Sequence, residues 1–283
     1  MQIKDEWVMI DSHHHLWKYS AADYGWISPQ MTAIRRDFLP EHLEELMHYF
    51  GIDGTVAVQA RQTLEETSWL LELAGKHPLI RGVVGWVPLT EGDAVKRHLE
   101  RFAPNPKLRG VRHVIQDESD PRYILRRDFN TGVHALLDYK LRYDILIFER
   151  HLPAAIQFVD RHPKQIFILD HVAKPRIKDK VMSPWDRNMR ELAKRQNVYC
   201  KLSGMVTEAD HQSWTPEILQ PYIDVALSAF GPKRLMYGSD WPVMLLAGDY
   251  ARWFGTVQTA IAKLAKPEQA RIMGETAAEA YGI

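Results

Sequence analysis

Three consecutive histidines follow a short apolar run, Val8-Met9-Ile10, in the stretch Ile10-Asp11-Ser12-His13-His14-His15-Leu16-Trp17. Side chains on a strand alternate between its faces, so His13 and His15 share one side while His14 points to the other. Two imidazoles two residues apart converge on one metal ion, one substrate oxygen or one water. Other residues able to do chemistry recur at the ends of apolar runs: Arg112-His113, His151, Asp170-His171 and Asp240. Any one of them would be unremarkable as a helix cap or a partner for a loop amide. Together they make an imidazole and carboxylate set that suits proton transfer, carbonyl polarisation or metal binding.

Something must bring positions so far apart in the chain to one place. The apolar runs Val8–Ile10, Thr55–Val58, Ile80–Pro88, Leu108–Ile115, Tyr143–Phe148, Gln165–Val172, Val198–Ser203 and Arg234–Tyr237 read as eight strands. Stretches of helical spacing separate them, and two more (about 250–264 and 267–281) end the chain. Thr63, with Glu66 three residues later, predicts a capping box at one helix start. Strands apolar on both faces are parallel strands covered by helices. Eight such units in 283 residues predict an α/β chain forming a single (β/α)8 TIM barrel over 1–283, with a C-terminal helical extension. No glycine-rich dinucleotide fingerprint opens the first helix, which argues against an open doubly wound sheet. In a barrel the strand ends face one cup, where such enzymes keep their active sites. His42, His48, His98, His134 and His162 fall on or beside helices and are set aside.

Composition narrows the classes. Thirty-six basic residues balance thirty-six acidic ones, so no global field favours nucleic acid or an anionic membrane. No apolar run reaches the ~20 residues that span a bilayer, and the N-terminus lacks the pattern of a signal peptide. The lone Cys200 excludes a disulfide framework and a thiolate zinc cluster. The expected compartment is the cytoplasm. A homo-oligomer is compatible with all of this.

The motifs resemble the amidohydrolase superfamily, and within it the sugar-lactonase branch that includes fuconolactonases, rhamnonolactonases and 2-pyrone-4,6-dicarboxylate lactonase. The resemblance rests on the first-strand stretch from Ile10 to Trp17 and on Gly110-Val111-Arg112-His113-Val114-Ile115-Gln116-Asp117-Glu118. It continues through Asp170-His171-Val172-Ala173-Lys174-Pro175, Cys200-Lys201-Leu202-Ser203-Gly204 and Tyr237-Gly238-Ser239-Asp240-Trp241-Pro242. It implies a hydrolase that opens a sugar-acid lactone, of the L-fuconolactone kind, to the free aldonic acid. The alternatives are a metal-dependent amidohydrolase or decarboxylase of the same superfamily, or a dicarboxylate lactonase.

Two-metal members of the superfamily carry a carboxylated lysine on strand four, where this chain has Arg112-His113. A two-metal site is therefore not expected. A single zinc could be held by His13, His15, His171 and Asp240. The resemblance also implies that some members of this branch need no metal, so no cofactor is expected to be required. Asp240 is the expected general base towards water and then acid to the ring oxygen, with His13, His15 and His171 as donors to the carbonyl. Arg112, His151 and Lys174 are candidates for binding hydroxyls or a carboxylate, and Trp17, Trp86 and Trp241 for stacking on sugar C–H faces. Lys201 lies in an apolar strand and needs an acidic partner or access to the cup, and Ser203 shares its face.

Overall fold

The computed structural model describes residues 7–283; the first six residues of the span 1–283, including the extreme N-terminus read for a targeting segment, lie outside the described residues. Eight short strands form the sheet: β1 (Ile10–His14), β2 (Gly54–Val58), β3 (Ile80–Gly85), β4 (Leu108–Val114), β5 (Arg142–Leu146), β6 (Phe167–Leu169), β7 (Val198–Leu202) and β8 (Leu235–Tyr237). Their order in the sheet is their order in the chain, and every neighbouring pair is parallel. The ring comes round where the ends of β1 and β8 meet: Asp240 N donates to His13 O at 2.8 Å and His15 N to Trp241 O at 2.7 Å. This is the (β/α)8 barrel the alternation predicted, with helical turns after the eighth unit.

Local chemistry sets the boundaries. The helix Pro40–Phe50 opens with proline in its first turn and stops at Gly51, which takes the left-handed conformation at φ 70°. Leu64–Lys76 opens at Thr63, whose side chain accepts from Glu66 N. The reciprocal half of the expected capping box is absent. The Glu66 carboxylate accepts instead from the amides of Ala60 and Arg61, tying down the loop after β2.

Several boundaries differ from the sequence reading, among them those of β1, β6 and the last helix. β1 runs on to His14 rather than ending at Ile10, because paired backbone, not apolar character, defines it. Its register shifts between Asp11 and His14. β6 is shorter than expected: His171, Val172, Ala173 and Lys174 all take positive φ (55°, 46°, 60° and 48°) and turn the chain out of the sheet. The last helix is interrupted at Arg271–Glu275. A Cβ on Gly274 there would lie 2.0 Å from Val8 O, so the helix is pressed against the start of β1. Its final turn, Thr276–Tyr281, buries Ala277, Ala280 and Tyr281 against Ile10, Val56, Val84, Ile168 and Met236 from the strands. Among the described residues no helix is long and apolar enough to cross a membrane.

Candidate active site

The carboxyl ends of the strands surround a cavity of about 730 Å³, with His15, Arg112, His171 and Asp240 in its wall. His13 is buried beneath them. Its Nε2 lies 3.2 Å from His15 Nε2, and Asp240 Oδ1 is 3.4 Å from His15 Nε2, 3.7 Å from His13 Nε2 and 3.9 Å from His171 Nε2. His14 points the other way, as the alternation requires, and meets Thr55 Oγ1 at 2.9 Å. His13, His15, His171 and Asp240 are thus brought together as expected.

Buried supports hold this arrangement. Asp11 Oδ1 accepts from the amides of His13 and Ser239, and its Oδ2 accepts from the Tyr250 hydroxyl at 3.1 Å, which pins β1 to the loop after β8. Burial pushes the Asp11 carboxyl up to about 6. Asp240 itself has φ 60°, a region that a non-glycine residue occupies only when its surroundings dictate it. Two glycines make room for the imidazoles. A Cβ on Gly204 would meet His171 Nδ1 at 2.5 Å, and one on Gly238 would meet His13 Cβ at 2.9 Å.

The hydrogen-bond partners assign the ring protons. His15 Nδ1 lies 2.8 Å from the Val58 carbonyl, which can only accept, so neutral His15 carries its proton on Nδ1 and presents a bare Nε2 to the cavity. In that neutral tautomer the ring offers an acceptor; with Nε2 also protonated it donates to the Asp240 carboxylate 3.4 Å away. His171 Nδ1 pairs with Ser203 Oγ at 2.8 Å, leaving Nε2 to face Asp240. Burial pushes the His171 ring down to about 4. Burial and then the Lys201 charge push His13 well below the usual histidine range. Burial would raise the Asp240 carboxyl, but His171, His15 and Lys174 outweigh it and hold it below the ordinary value.

Beneath His13 lies a charge cluster. Lys201 Nζ is 2.6 Å from Asp144 Oδ2 and 2.9 Å from Asp170 Oδ1, with all three side chains fully buried. Lys201 therefore has acidic partners. Arg112 Nη1 donates to Asp170 Oδ2 at 3.0 Å, and its Nη2 donates to Gln59 O. Burial raises Asp144 despite its lysine. Asp170 is held well below the usual carboxylate range: burial opposes this, but Lys201, His13 and Arg112 prevail.

Four other candidates stand elsewhere. His151 is buried, its Nδ1 accepting from Phe148 N, and it is not among the residues lining the cavity. Trp17 is fully buried and donates to Arg36 O. Trp241 packs edge-on against Phe38, and Trp86 donates to His113 Nδ1 at 3.4 Å. None of the three tryptophans lines the cavity; Trp26, on the loop after β1 and 40% exposed, does. Lys174 lines it as expected, 3.8 Å from Glu208, and Arg61 does so in an ion pair with Asp23 at 2.6 Å. Sequence reasoning missed Trp26, Asp23, Glu208 and Asp144. Of these only Asp144 left a signal, a carboxylate inside the apolar run Tyr143–Phe148 that mirrors Lys201.

The donor set fits one zinc. Ligand bonds of 2.0–2.1 Å in a tetrahedron put ligand atoms about 3.3 Å apart, close to the 3.2 and 3.4 Å separations across His13, His15 and Asp240.

A barrel whose strand ends gather three imidazoles and a carboxylate in one cavity is a scaffold for hydrolytic chemistry. The chain belongs to the amidohydrolase family, whose signature it matches over residues 10–283. It is 42% identical over 288 residues to L-fucono-1,5-lactonase from Burkholderia multivorans, covering 97% of this chain and 96% of that protein. It is also 38% identical to L-fucono-1,5-lactonase from Burkholderia ambifaria, covering 97% and 95%. The crystal structure of an amidohydrolase from Burkholderia multivorans with bound zinc superposes with a TM-score of 0.93 at 42% identity, covering 98% of this chain and 99% of that one.

Proposed function

We propose that this chain, acting as one barrel unit over 1–283, hydrolyses a sugar-acid lactone of the L-fucono-1,5-lactone type to the open-chain aldonic acid. The observation that carries the proposal is the convergence of His13, His15, His171 and Asp240 on the floor of a cavity about 730 Å³ in volume. The likeness to two lactonases across nearly the whole chain supports it.

In this reading Asp240 takes a proton from water as the water oxygen bonds to the lactone carbonyl carbon. The bare His15 Nε2, 3.4 Å from Asp240 Oδ1, accepts the water's second hydrogen bond and aims its lone pair. N–H groups of His13 and His171 hold the charge that develops on the carbonyl oxygen, a contribution of about 3 kcal/mol per good donor. The ring C–O bond then breaks, and the proton on Asp240 passes to the departing ring oxygen. One lactone and one water give one hydroxy acid.

The rim supports a polyhydroxylated substrate over a dicarboxylate. Each of the cationic lining residues Arg61, Arg112 and Lys174 already has a carboxylate partner. Paired charges offer donors and acceptors side by side to hydroxyls, whereas a second substrate carboxylate calls for unpaired arginines.

When bound, a zinc held by His13, His15, His171 and Asp240 would supply Lewis-acid polarisation and a more acidic water. The reaction is nevertheless proposed to need none. An ester carbonyl is electrophilic enough for hydrogen-bond donors to activate it, and the cationic Lys201 and Arg112 already stand beside His13.

A screen of five- and six-membered sugar lactones, following acid release, tests the proposal. Release of one equivalent of acid, with the highest kcat/KM on the 1,5-lactone of L-fuco configuration, is the expected result. Turnover of amides or aromatic acids with no lactone hydrolysed would overturn it.

A further inference from the structure

Lys201 is fully buried in the strand β7 and makes no approach to the cavity wall, yet it hydrogen-bonds the innermost imidazole of the site. Its Nζ lies 3.1 Å from His13 Nδ1 and 2.6 Å from Asp144 Oδ2, and Asp144 Oδ2 also accepts from the Tyr281 hydroxyl at 2.6 Å. An ammonium group has donors and no acceptor. It can satisfy His13 Nδ1 only if that nitrogen is bare.

The other side of the ring asks for the same tautomer. In the neutral ring His15 Nε2 is bare, because its Nδ1–H is committed to Val58 O. His13 Nε2 faces it at 3.2 Å. Two lone pairs would repel at that distance, whereas a proton on His13 Nε2 turns the contact into a hydrogen bond. Three contacts pull the other way and all are longer; the first is Asp240 Oδ1, 3.4 Å from His15 Nε2, which favours a proton on that nitrogen. Asp170 Oδ1, 3.4 Å from His13 Nδ1 and without a hydrogen bond of its own, would attract a proton there, but the Lys201 ammonium stands nearer to both atoms, 2.9 Å from Asp170 Oδ1 and 3.1 Å from His13 Nδ1. Arg112 Nη1, 3.5 Å from His13 Nε2, is nearer to Asp170 Oδ2 at 3.0 Å.

From these contacts we infer that Lys201 is a positioning residue that holds His13 in the Nε2–H tautomer, through a buried line running from Tyr281 and Asp144 to His13 and His15. Lys201 touches no substrate. It sets the His13 N–H on the floor of the reacting centre, bonded to His15 Nε2 at rest and released to the developing oxyanion of the lactone reading once the attacking water takes up the His15 lone pair. The consequence for catalysis rests on that reading; the tautomer does not. The same arrangement works against a metal at His13, since a ligating Nε2 must give up its proton to Nδ1, where the lysine stands.

The test is nitrogen NMR of histidine-labelled wild-type protein, with the His13 signals assigned by their loss in a His13→Asn variant. A protonated Nε2 and a bare Nδ1 are expected; a proton on Nδ1 overturns the inference, whatever the substrate proves to be. Lys201→Met then asks for the cause. The expected result is a tautomer shifted to Nδ1–H, a fall in kcat of about a hundredfold with KM little changed, and tighter zinc binding by calorimetry. A folded Lys201→Met protein that keeps the wild-type tautomer overturns the assignment to lysine. Should that variant fail to fold, the double variant Lys201→Met/Asp144→Asn, which also removes the stranded carboxylate, is measured in its place. Absence of lactone turnover in the wild type would remove the catalytic consequence and leave the tautomer measurement standing.

Discussion

On the floor of the cavity, His13, His15, His171 and Asp240 come from strand ends, and the Lys201–Asp144–Asp170 cluster beneath them is sealed from water. On the rim, Trp26, the Asp23–Arg61 pair and the Lys174–Glu208 pair come from loops, and the Asp23 side chain is 53% exposed. Charges on the floor act in a medium of low polarisability, where each interaction is strong and each broken one is costly; charges on the rim are screened by solvent. The division assigns proton transfer and charge stabilisation to the floor and substrate choice to the rim. It also explains why β1 and β8 are stitched together so heavily through Asp11, while the rim pairs rest on single contacts.

The largest effect that sharpens this contrast belongs to Asp240. Asp240→Asn keeps the shape but cannot accept a proton, so kcat should fall by about 10²–10⁴ with the thermal midpoint little changed, as followed by steady-state kinetics and circular dichroism. Wild-type turnover in the folded variant would break the assignment. The pH profile follows from the same group. The carboxylate is its working form and its value is held below the ordinary 3.8, so it stays ionised at neutral pH. It is lost only as pH falls through that lowered value. His171 gains its proton near 4. The acid limb of kcat/KM should therefore lie near or below pH 4, with a plateau through neutrality; an acid limb near pH 6.5 would point to a histidine as the base.

Stability separates the two regions next. Asp144→Ala strands the buried Lys201 ammonium and should cost about 3–5 kcal/mol in chemical denaturation. Asp23→Ala removes a half-exposed partner and should cost about 1 kcal/mol or less. Equal losses would erase the distinction between floor and rim. Gly204→Ala should lower both kcat and the denaturation midpoint, because the added methyl is directed at His171 and the position takes a left-handed φ of 63° that glycine alone adopts freely.

Smallest of all is the expected effect of Trp26→Ala. It should raise KM by several-fold and leave kcat unchanged, since the ring lines the cavity away from the reacting atoms. A loss in kcat alone would move Trp26 from the rim to the machinery.

The barrel was legible because parallel strands are apolar on both faces and end abruptly in polar residues, and His-x-His announces a shared face through the period of two. That logic reached His13, His15, His171 and Asp240, all on or next to strands. It failed for the tryptophans. Trp17 is two residues past His15, but there the chain has left β1, alternation no longer sets direction, and the Arg36 carbonyl draws the indole inward. Trp26 lies in a loop with no period to read. The ring protons were hidden for another reason: the atom that orients His15 is the Val58 carbonyl, 43 residues away and carrying no side-chain signature. Lys201 declared its need for an acid, and Asp144 answers it from β5, across the intervening β6, a pairing between strands that do not adjoin in the sheet.

If imidazoles and one carboxylate suffice for lactone opening, the reaction runs without metal. The most direct test is the turnover of protein treated with chelator, shown metal-free by elemental analysis, and assayed on L-fucono-1,5-lactone. The expected kcat/KM stays within about twofold of the untreated protein, well inside the span of one lost donor. Activity that falls in proportion to zinc content and returns stoichiometrically when zinc is added would contradict that expectation.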